Sequence, residues 1–334
     1  MRRNSGMEYS PYKAAKHIES LKAGKPVTCH FLITGRCNYD CPTCMNKSVN
    51  FPHGVELSAN TAIDYAYQLR ELGVKALSIS GGEPLVHRAF DRILAACLGM
   101  GFEIGILTNG SYIDRVNRDL LRQCKWIRIS INSLSSSVFS LVHCHRDIGI
   151  WDLVGKYLPK IKSDGCIVGS SFLITDDDAV IKEIPGFAKR SLDMGFDTCR
   201  FSYIWKPVVG IEVGPEVAKK IRNGLQKASV YQSDSFKIFG LSERINLKKD
   251  KAITHCYYSD LVVRIHPDGM VKRCCYSQDL PSGTLGNLNE RSLQDIWKNR
   301  TEIDAAKCPP CWHQGKNKFI EYLLHDDPQH VNFI

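Results

Sequence analysis

From about residue 26 to residue 205, short apolar runs alternate with segments in which apolar residues recur every three or four positions, as on one face of a helix. Six runs have the length and composition of strands, and longer amphipathic segments separate them. This alternation predicts repeated βα units and a parallel sheet, which places the chain in the α/β class. The predicted strands cover residues 27–33, 74–80, 102–107, 126–131, 166–174 and 198–204.

The helices between these strands carry their own start and stop signals. Ser58 stands where a helix N-cap is expected, and Gly73 stands where that helix would end. Further helices are predicted near residues 87–100 and 112–124. In a right-handed series of this kind, the loops that follow the carboxyl ends of the strands converge on one face. Motifs in those loops are therefore expected to share an active site.

The alternation fades beyond about residue 206, where only one further helix, at 215–229, is predicted before a cysteine-rich region begins. Asp268-Gly269 lies between two alternating apolar runs there and predicts a β-hairpin. We therefore expect an N-terminal extension over residues 1–25, a partial barrel over 26–235, and a small cluster-binding domain with a tail over 236–334.

Length and composition restrict the class of protein. The chain has 334 residues, 43% of them hydrophobic, which is enough for one large domain and a small one. No apolar run approaches the roughly 20 residues of a membrane helix, and the first residues lack the apolar stretch of a secretory signal. We expect a cytoplasmic protein with no membrane partner, and the net charge of +9 does not indicate nucleic acid as a partner.

Fourteen cysteines in such a chain indicate metal ligands and buried thiols rather than disulfides. Cys37, Cys41 and Cys44 are spaced C-x3-C-x2-C just after the first predicted strand. Iron–sulfur clusters and tetrahedral zinc usually take four protein ligands, so a compact set of three predicts a site with one open position. Zinc with a distant fourth ligand is the alternative that the spacing leaves open.

A second motif narrows these alternatives. The run Gly81-Gly82-Glu83-Pro84 closes the second predicted strand. With the cysteine spacing, it resembles the glycine-glycine-glutamate-proline motif of the radical S-adenosylmethionine (SAM) superfamily. The resemblance implies a partial (βα)6 TIM-like barrel and a 4Fe–4S cluster on the three cysteines, with the backbone and carboxylate of the motif holding the amino group of SAM. It further implies reductive cleavage of SAM to a 5'-deoxyadenosyl radical, which abstracts a hydrogen atom from the substrate.

Polar residues at two later strand ends also resemble SAM-lining positions of that superfamily. Asn109 follows the third strand, and Ser130 and Asn132 follow the fourth. Ordinary loop residues are the alternative at each position. The residue before the third cysteine is often aromatic in the superfamily and here is Thr43, so we expect Tyr39 or another aromatic residue to supply that surface.

A second set of cysteines surrounds and follows the predicted hairpin: Cys256, Cys274, Cys308 and Cys311. Four thiolates can close a metal site completely. The arrangement over about residues 240–320 resembles the twitch domain, a shortened SPASM domain that carries an auxiliary 4Fe–4S cluster, and the cysteines for a second auxiliary cluster are absent. The alternative is a structural zinc site.

Other candidate residues have weaker support. Cys275 adjoins Cys274, and if the two lie on a strand they point to opposite faces. Cys275 would then face the barrel and donate a hydrogen atom to a substrate radical, as thiols do in peptide epimerases of this superfamily; a packed thiol is the alternative. Histidines at 143 and 145 and the residues Arg200, Tyr203 and Trp205 are candidates for a pocket, with structural roles as the alternative.

The function predicted from these motifs is two-electron oxidation or radical rearrangement of a small polar metabolite. The auxiliary cluster would accept the second electron, as in the twitch-containing dehydrogenases of aminoglycoside biosynthesis that this chain resembles. It resembles the molybdopterin-pathway cyclase less closely, because its last residues lack that family's glycine-rich tail. A reducing partner such as flavodoxin or ferredoxin is expected.

Two other readings stay open. Modification of a ribosomal peptide, by epimerisation or crosslinking, is the enzymatic alternative; about 25 residues precede the first strand, too few for a leader-recognition domain. A non-enzymatic iron–sulfur or zinc protein is the alternative from another class.

Overall fold

The computed structural model describes residues 15–47, 51–203, 213–240, 253, 255–277, 280–311 and 313–325. Its strands are β1 (Thr28–Thr34), β2 (Ala76–Gly81), β3 (Glu103–Thr108), β4 (Trp126–Ser130), β5 (Ile167–Ile174), β6 (Thr198–Tyr203), β7 (Lys237–Phe239), β8 (Val262–Ile265), β9 (Met270–Lys272) and β10 (Thr284–Asn287). Its helices are α1 (Ile18–Lys22), α2 (Ala59–Leu72), α3 (Phe90–Gly99), α4 (Arg118–Leu121), α5 (Ser136–His143), α6 (Ile150–Ile161), α7 (Asp178–Asp193), α8 (Pro215–Ser229), α9 (Tyr257–Leu261), α10 (Leu293–Lys298) and α11 (Gln314–His325).

The strands form one sheet in the order β10-β9-β8-β1-β2-β3-β4-β5-β6-β7. Strands β1 to β6 pair in parallel with their chain neighbours, and helices connect them. The α/β class and the partial (βα)6 barrel are thereby confirmed. A seventh parallel strand, β7, pairs with β6; its three residues are too short a run to give a sequence signal.

The helix α2 follows its sequence signals closely. The Ser58 hydroxyl accepts a hydrogen bond from the Thr61 backbone N–H at 3.0 Å. At the other end, Gly73 takes φ +98° and donates to the Arg70 carbonyl, a conformation in which glycine has no Cβ penalty. The predicted helix is therefore confirmed at both ends.

The prediction of a helix over residues 112–124 is wrong outside residues 118–121. Asn117 caps α4 by accepting from the Asp119 N–H, so the helix covers only Arg118–Leu121. Ile113 and Val116 precede it in a turn and are buried in the core. Their spacing matches a helix face because both must reach the same core, and the periodicity alone cannot distinguish the two cases.

The predicted hairpin forms, and it joins the barrel sheet. Strands β8 and β9 are antiparallel, and Gly269 has φ +84° in the turn between them. Strand β8 also pairs in parallel with β1, with Phe31 opposite Ile265. The hairpin of the C-terminal region therefore continues the sheet of the barrel and stands directly beside the strand that leads to the first cysteine loop.

The main hydrophobic core lies between the sheet and the surrounding helices. In β1, for example, Cys29 and Phe31 are fully buried against this core, so His30 between them faces the barrel interior. No helix in the described ranges combines the length and the apolar character needed to cross a membrane.

Candidate functional site

Cys37, Cys41 and Cys44 lie on one loop at the carboxyl end of β1. The Cys44 N–H donates to the Cys41 carbonyl at 3.2 Å, and the Tyr39 N–H donates to Cys37 Sγ at 3.4 Å. Burial raises the pKa of the Cys37 thiol to about 11 and that of the Cys41 thiol to about 12, and the neighbouring Cys44 contributes to both shifts. The metal-free thiols are therefore protonated near neutral pH, and binding iron would release protons.

Two glycines bring the second motif against this loop. The Gly82 N–H donates to the Thr34 carbonyl at 2.7 Å, and the Glu83 N–H donates to the Arg36 carbonyl at 2.8 Å. A Cβ on Gly82 would lie 2.2 Å from the Arg36 carbonyl oxygen, and a Cβ on Gly81 would lie equally close to that of Thr34. The contact between the loops thus requires residues without a side chain. Pro84 begins a short 3₁₀ helix that carries the chain away.

The Glu83 carboxylate is buried at the centre of this contact. Its oxygens accept hydrogen bonds from the Leu85 N–H at 2.9 Å, the Thr108 hydroxyl at 2.7 Å and the Asn109 N–H at 2.5 Å. Burial raises its pKa to about 7, and these three donors oppose the rise. Among the residues that the structure describes, no Lys, Arg or His side chain forms an ion pair with it. A cationic ligand group would compensate this charge.

The Asn109 side chain connects the third strand end to the cysteine loop. Its amide donates to the Asn38 side-chain oxygen at 2.9 Å, and its own oxygen accepts from the Ser111 N–H at 2.9 Å. Asn38 in turn donates to the Ser111 hydroxyl at 3.0 Å. Asn109 therefore holds the two loops in place, and the supporting residues Asn38 and Ser111 had no sequence signal because they lie 73 residues apart.

The fourth strand end supplies Ser130 and Asn132. The Ser171 hydroxyl donates to Ser130 Oγ at 3.3 Å. Asn132 takes φ +58°, and its side-chain oxygen accepts from the Leu173 N–H at 2.9 Å. Asn tolerates this left-handed conformation better than most residues, and here it fixes the start of the loop above β4 and β5.

His143 contacts the cysteine loop directly. Its Nδ1 lies 3.1 Å from Cys41 Sγ, and its Nε2 donates to the Ile131 carbonyl at 2.9 Å. Burial lowers the pKa of this imidazole. Its ring also packs 4.9 Å from that of Tyr39, centroid to centroid, and the ring of His145 lies equally close to Tyr39 on the exposed side. Tyr39, which lies on the loop between Cys37 and Cys41, thus packs against both imidazole rings.

A cavity of about 500 Å³ adjoins Cys37 on its outer side. Its lining includes the side chains of Arg36, Arg88 and Arg115, together with Asp91. Arg115 lies over the Tyr112 ring at 4.2 Å. The surface beside Cys37 is therefore concave and mainly basic.

The four later cysteines line one other cavity. Cys256 precedes α9, Cys274 follows β9, and Cys308 and Cys311 lie in the loop before α11. The C-x2-C pair therefore comes from a loop. Burial raises the pKa of the Cys256 and Cys311 thiols, with neighbouring cysteines contributing.

Three polar residues without a sequence signal contact these sulfurs. The Asn317 amide donates to Cys256 Sγ at 3.4 Å, and the His313 N–H donates to Cys311 Sγ at 3.3 Å. Ser277 Oγ lies 3.3 Å from Cys274 Sγ. Hydrogen bonds to cluster sulfurs adjust reduction potentials, so the environment suits thiolate ligands. The donors come from the turn after β9 and from the start of α11, which the sequence does not place together.

Cys275 lies outside this cavity. It follows the end of β9 in a turn, so the argument from strand alternation does not apply to it. Burial raises its pKa to about 12, and the neighbouring Arg264 on the inward face of β8 opposes the rise. Cys274 thus lines the four-cysteine cavity, while Cys275 is absent from its lining and lies near both Arg264 and Cys311.

The donor sets suit clusters with several metal atoms. In the described ranges, no three His, Cys, Asp or Glu side chains are close enough to hold a single metal ion. A four-iron cluster places each thiolate on a different iron, so its ligands stand further apart than those of one ion. Two sets of soft sulfur donors, one of three and one of four, match this requirement.

Two of the pocket candidates lie at or beyond the end of β6. Tyr203 ends this strand, and burial raises its pKa to about 12. Trp205 lies outside the described residues.

In comparisons with known proteins, two family models match the parts of the chain that contain the three-cysteine set and the four-cysteine set. Residues 31–157 match the model of the radical SAM superfamily, and residues 256–317 match that of SPASM, an iron–sulfur cluster-binding domain. The first match contains the three-cysteine loop and the Gly-Gly-Glu-Pro motif, and the second contains all four later cysteines. The predicted cofactors, SAM with one cluster in the barrel and a second cluster in the C-terminal region, agree with these two domains.

The curated relatives include GTP 3',8-cyclases of Staphylococcus aureus strains Mu3 and Mu50. Each is 28% identical over 188 residues, which is 52% of this chain and 55% of the relative. The chain therefore spans about half the length of the curated relatives it matches.

Solved structures share the fold. Streptococcus suis SuiB bound to its precursor peptide SuiA aligns with a TM-score of 0.65 at 18% identity, covering 86% of this chain and 68% of that one. The enzyme anSMEcpe with bound AdoMet aligns with a TM-score of 0.58 at 16% identity, covering 82% and 81%. With its barrel, its two cysteine sets and both domain matches, the chain carries a radical SAM domain over residues 31–157 and a SPASM iron–sulfur cluster-binding domain over residues 256–317.

Proposed function

We propose that the chain is an enzyme that reductively cleaves SAM to a 5'-deoxyadenosyl radical and abstracts a hydrogen atom from a small polar metabolite. The overall reaction is a two-electron oxidation or a radical rearrangement. One observation carries the proposal. The buried Glu83 carboxylate lacks a cationic partner among the described residues and lies on a loop that hydrogen-bonds to the three-cysteine loop. This is where an ammonium group beside an open cluster would be held.

The chain's own residues divide the work at this site. Cys37, Cys41 and Cys44 would hold the cluster, and Glu83 would accept hydrogen bonds from the SAM amino group. When bound, the cluster and SAM supply the electron and the radical. The protein orients the two groups through the fixed loop contacts and excludes water from the strand ends.

The residues at the next strand ends would shape the rest of the SAM site. Gly81, Gly82 and Pro84 set the path of the Glu83 loop, whereas Asn109 fixes that loop to its neighbour. Ser130 and Asn132 would border SAM from the end of β4, where Asn132 already holds β5 in register.

The four-cysteine cavity supports the oxidative form of the reaction. Cys256, Cys274, Cys308 and Cys311 would ligate an auxiliary cluster completely, so that cluster would transfer electrons rather than bind substrate. A substrate that loses a hydrogen atom and a proton must still lose one electron, and a closed cluster next to the barrel is a suitable acceptor.

The reducing partner would approach beside Cys37. The cavity there is lined by Arg36, Arg88 and Arg115, and a basic surface favours association with an acidic electron carrier such as flavodoxin or ferredoxin. Exposed thiolate ligands also suit a reducing compartment, so we propose a cytoplasmic location.

Modification of a peptide is the second candidate. SuiB, whose structure holds a precursor peptide, shares the fold over 86% of this chain. Cys275 beside the barrel would then return a hydrogen atom in an epimerisation. At 18% identity this likeness concerns the fold, so the candidate rests on the position of Cys275.

Incubation of the anaerobically reconstituted protein with SAM and dithionite tests the proposal. We expect 5'-deoxyadenosine by chromatography, slowly without substrate and faster with it. A Cys41→Ala variant is the control and should form none. If the wild-type protein with full iron content forms no 5'-deoxyadenosine, the chain is a non-enzymatic iron–sulfur protein.

A further inference from the structure

The inward face of the barrel carries arginines on three strands. On β4, Ile127 and Ile129 are buried against the helices, so Arg128 between them faces the interior. The same alternation turns Arg200 inward on β6 and Arg264 inward on β8, since their neighbours in each strand are fully buried on the helix side.

The strand register brings these positions around one space. His30 on β1 is directly opposite Arg264 on β8. On the other side, Ser171 of β5 lies between Ser130 and Arg200 in neighbouring strands. The interior therefore has cationic groups on opposite walls.

Small residues and an indole surround the Arg128 side chain. Gly169 stands opposite Arg128 on β5, and the Thr198 hydroxyl of β6 lies against this glycine, 2.2 Å from where a Cβ would stand. A Cβ on Gly105 would lie 2.0 Å from the Trp126 ring, which shows that this indole covers Gly105. The guanidinium of Arg128 lies 5.8 Å from the centre of the Trp126 ring. The Trp126 indole therefore lies next to the Arg128 side chain.

The interior lacks a compensating negative charge on these strands. Among the inward positions of β1–β6 and β8, the one carboxylate is Glu103, at the exposed amino end of β3. Within the described part of the chain, Arg128 makes neither an ion pair nor a hydrogen bond. Burial lowers the pKa of Arg128 to about 10, which leaves it charged at neutral pH.

His30 does not balance the arginines. Burial lowers its pKa to about 4, and the proximity of Arg264 and Arg128 contributes. The imidazole is therefore neutral at neutral pH, and it can donate or accept a hydrogen bond beside the two guanidinium groups. An inward-facing guanidinium without an ion pair or a hydrogen bond, as at Arg128, costs stability in the empty protein and favours a bound anion.

We propose that Arg128, on the inward face of β4, binds an oxyanion of the substrate, either a carboxylate or a phosphate. This deepens the function proposed above and rests on it, since it assigns the substrate to the class of small anionic metabolites. Arg128 precedes Ser130 by two residues on β4, so the anion lies about 7 Å deeper in the barrel than the expected SAM site. The reacting C–H bond then points toward the strand ends.

Binding of simple anions to the reconstituted protein tests this assignment. Calorimetric titration with inorganic phosphate, with acetate and with methylammonium at equal ionic strength separates phosphate from carboxylate recognition and from non-specific binding. We expect one of the two anions to bind and the cation not to bind. In Arg128→Gln the anion should bind at least about tenfold more weakly, whereas Arg128→Lys should retain part of the affinity. Arg118→Gln removes an exposed arginine as the matched control and should change nothing.

Two further measurements distinguish the alternatives. The affinity for SAM should change less than about twofold in Arg128→Gln; an equal loss of SAM and anion affinity would place Arg128 in the SAM site and overturn the proposal. Arg128→Met should raise the melting temperature of the empty protein, because it removes an uncompensated charge. A lower melting temperature with unchanged anion binding would show a structural arginine and also overturn it. Formation of 5'-deoxyadenosine by the wild-type protein is measured separately. Its absence would contradict the proposed function, whereas the anion titrations test only the role of Arg128.

Discussion

The Glu83 carboxylate accepts a hydrogen bond from the backbone N–H of Asn109, with 2.5 Å between the nitrogen and Oε2, although the two residues lie 26 positions apart. This bond ties the end of β2 to the end of β3, and the Glu83 N–H ties the same loop to the cysteine loop after β1. Three strand ends are thus fixed around one buried acid, as a pre-organised ligand site requires.

Glu83 makes the stability of the ligand-free protein depend on pH. Its pKa is about 7 in the folded chain, above its usual value of 4.5, so the unfolded chain loses this proton first as pH rises. The folded state is therefore destabilised between about pH 4.5 and pH 7, by on the order of 3 kcal/mol in full. We expect the melting temperature of the wild-type protein to fall over this range more steeply than that of Glu83→Gln.

The same variant should bind SAM more weakly. Loss of the carboxylate removes a buried charge pair with the SAM ammonium, which costs about 2 kcal/mol or more, or roughly thirtyfold in affinity. Calorimetric titration of the reconstituted protein measures the affinity for SAM. Asp91→Asn, which also removes an acidic side chain, is the control. Unchanged SAM affinity in Glu83→Gln would contradict the role of Glu83.

Gly82→Ala should separate the two loops. The new Cβ would lie 2.2 Å from the Arg36 carbonyl oxygen, so the backbone must move, at a cost of about 1–3 kcal/mol. We expect a lower melting temperature and less iron bound after reconstitution. Gly99→Ala is the matched control, because nothing lies within 4 Å of its Cβ, and alanine should be neutral or slightly stabilising at that helix position. Equal effects of the two variants would show that the close approach does not matter.

Replacing both Cys308 and Cys311 with alanine should remove one cluster. We expect iron content to fall from roughly eight to roughly four atoms per chain, because each cluster holds four. The control is Cys124→Ala, a buried thiol in neither cysteine set, for which iron content should stay constant. Retention of all iron in the double variant would assign the auxiliary site elsewhere.

Cys275→Ala discriminates between the two proposed reactions. An oxidation returns no hydrogen atom to the product, so we expect product formation within about twofold of the wild-type rate, a difference of less than 0.5 kcal/mol in the barrier. Loss of product with unchanged iron content and continued 5'-deoxyadenosine formation would favour epimerisation. Cys275→Ser serves as the variant that keeps the size of the side chain.

Arg88→Glu should affect reduction by the protein partner and leave chemical reduction unchanged. Arg88 is exposed on the basic cavity beside Cys37, and reversing its charge weakens association with an acidic carrier by about tenfold at low salt. Rates of 5'-deoxyadenosine formation with flavodoxin and with dithionite measure the two routes. Arg118→Glu, exposed on α4, is the control; equal effects of both variants would remove the cavity as the docking site.

The sequence predicted the α/β class, the six parallel strands and both ends of α2, because alternating periodicity and capping residues act over a few neighbouring positions. It also singled out the two cysteine sets, since ligand spacing within a loop is a local property. The helix over 112–124 failed for the same reason: buried turn residues such as Ile113 and Val116 mimic a helix face.

What the sequence by itself determined was the chemistry that the chain contains: three cysteines on one loop, a Gly-Gly-Glu-Pro turn and four later cysteines. The tertiary structure alone decided how these parts meet. It paired β8 with β1 and placed Asn317 on Cys256 and His143 on Cys41. It also turned Arg128 into the barrel. Such contacts join residues up to more than two hundred positions apart, and they depend on strand register and side-chain packing, which no local pattern specifies.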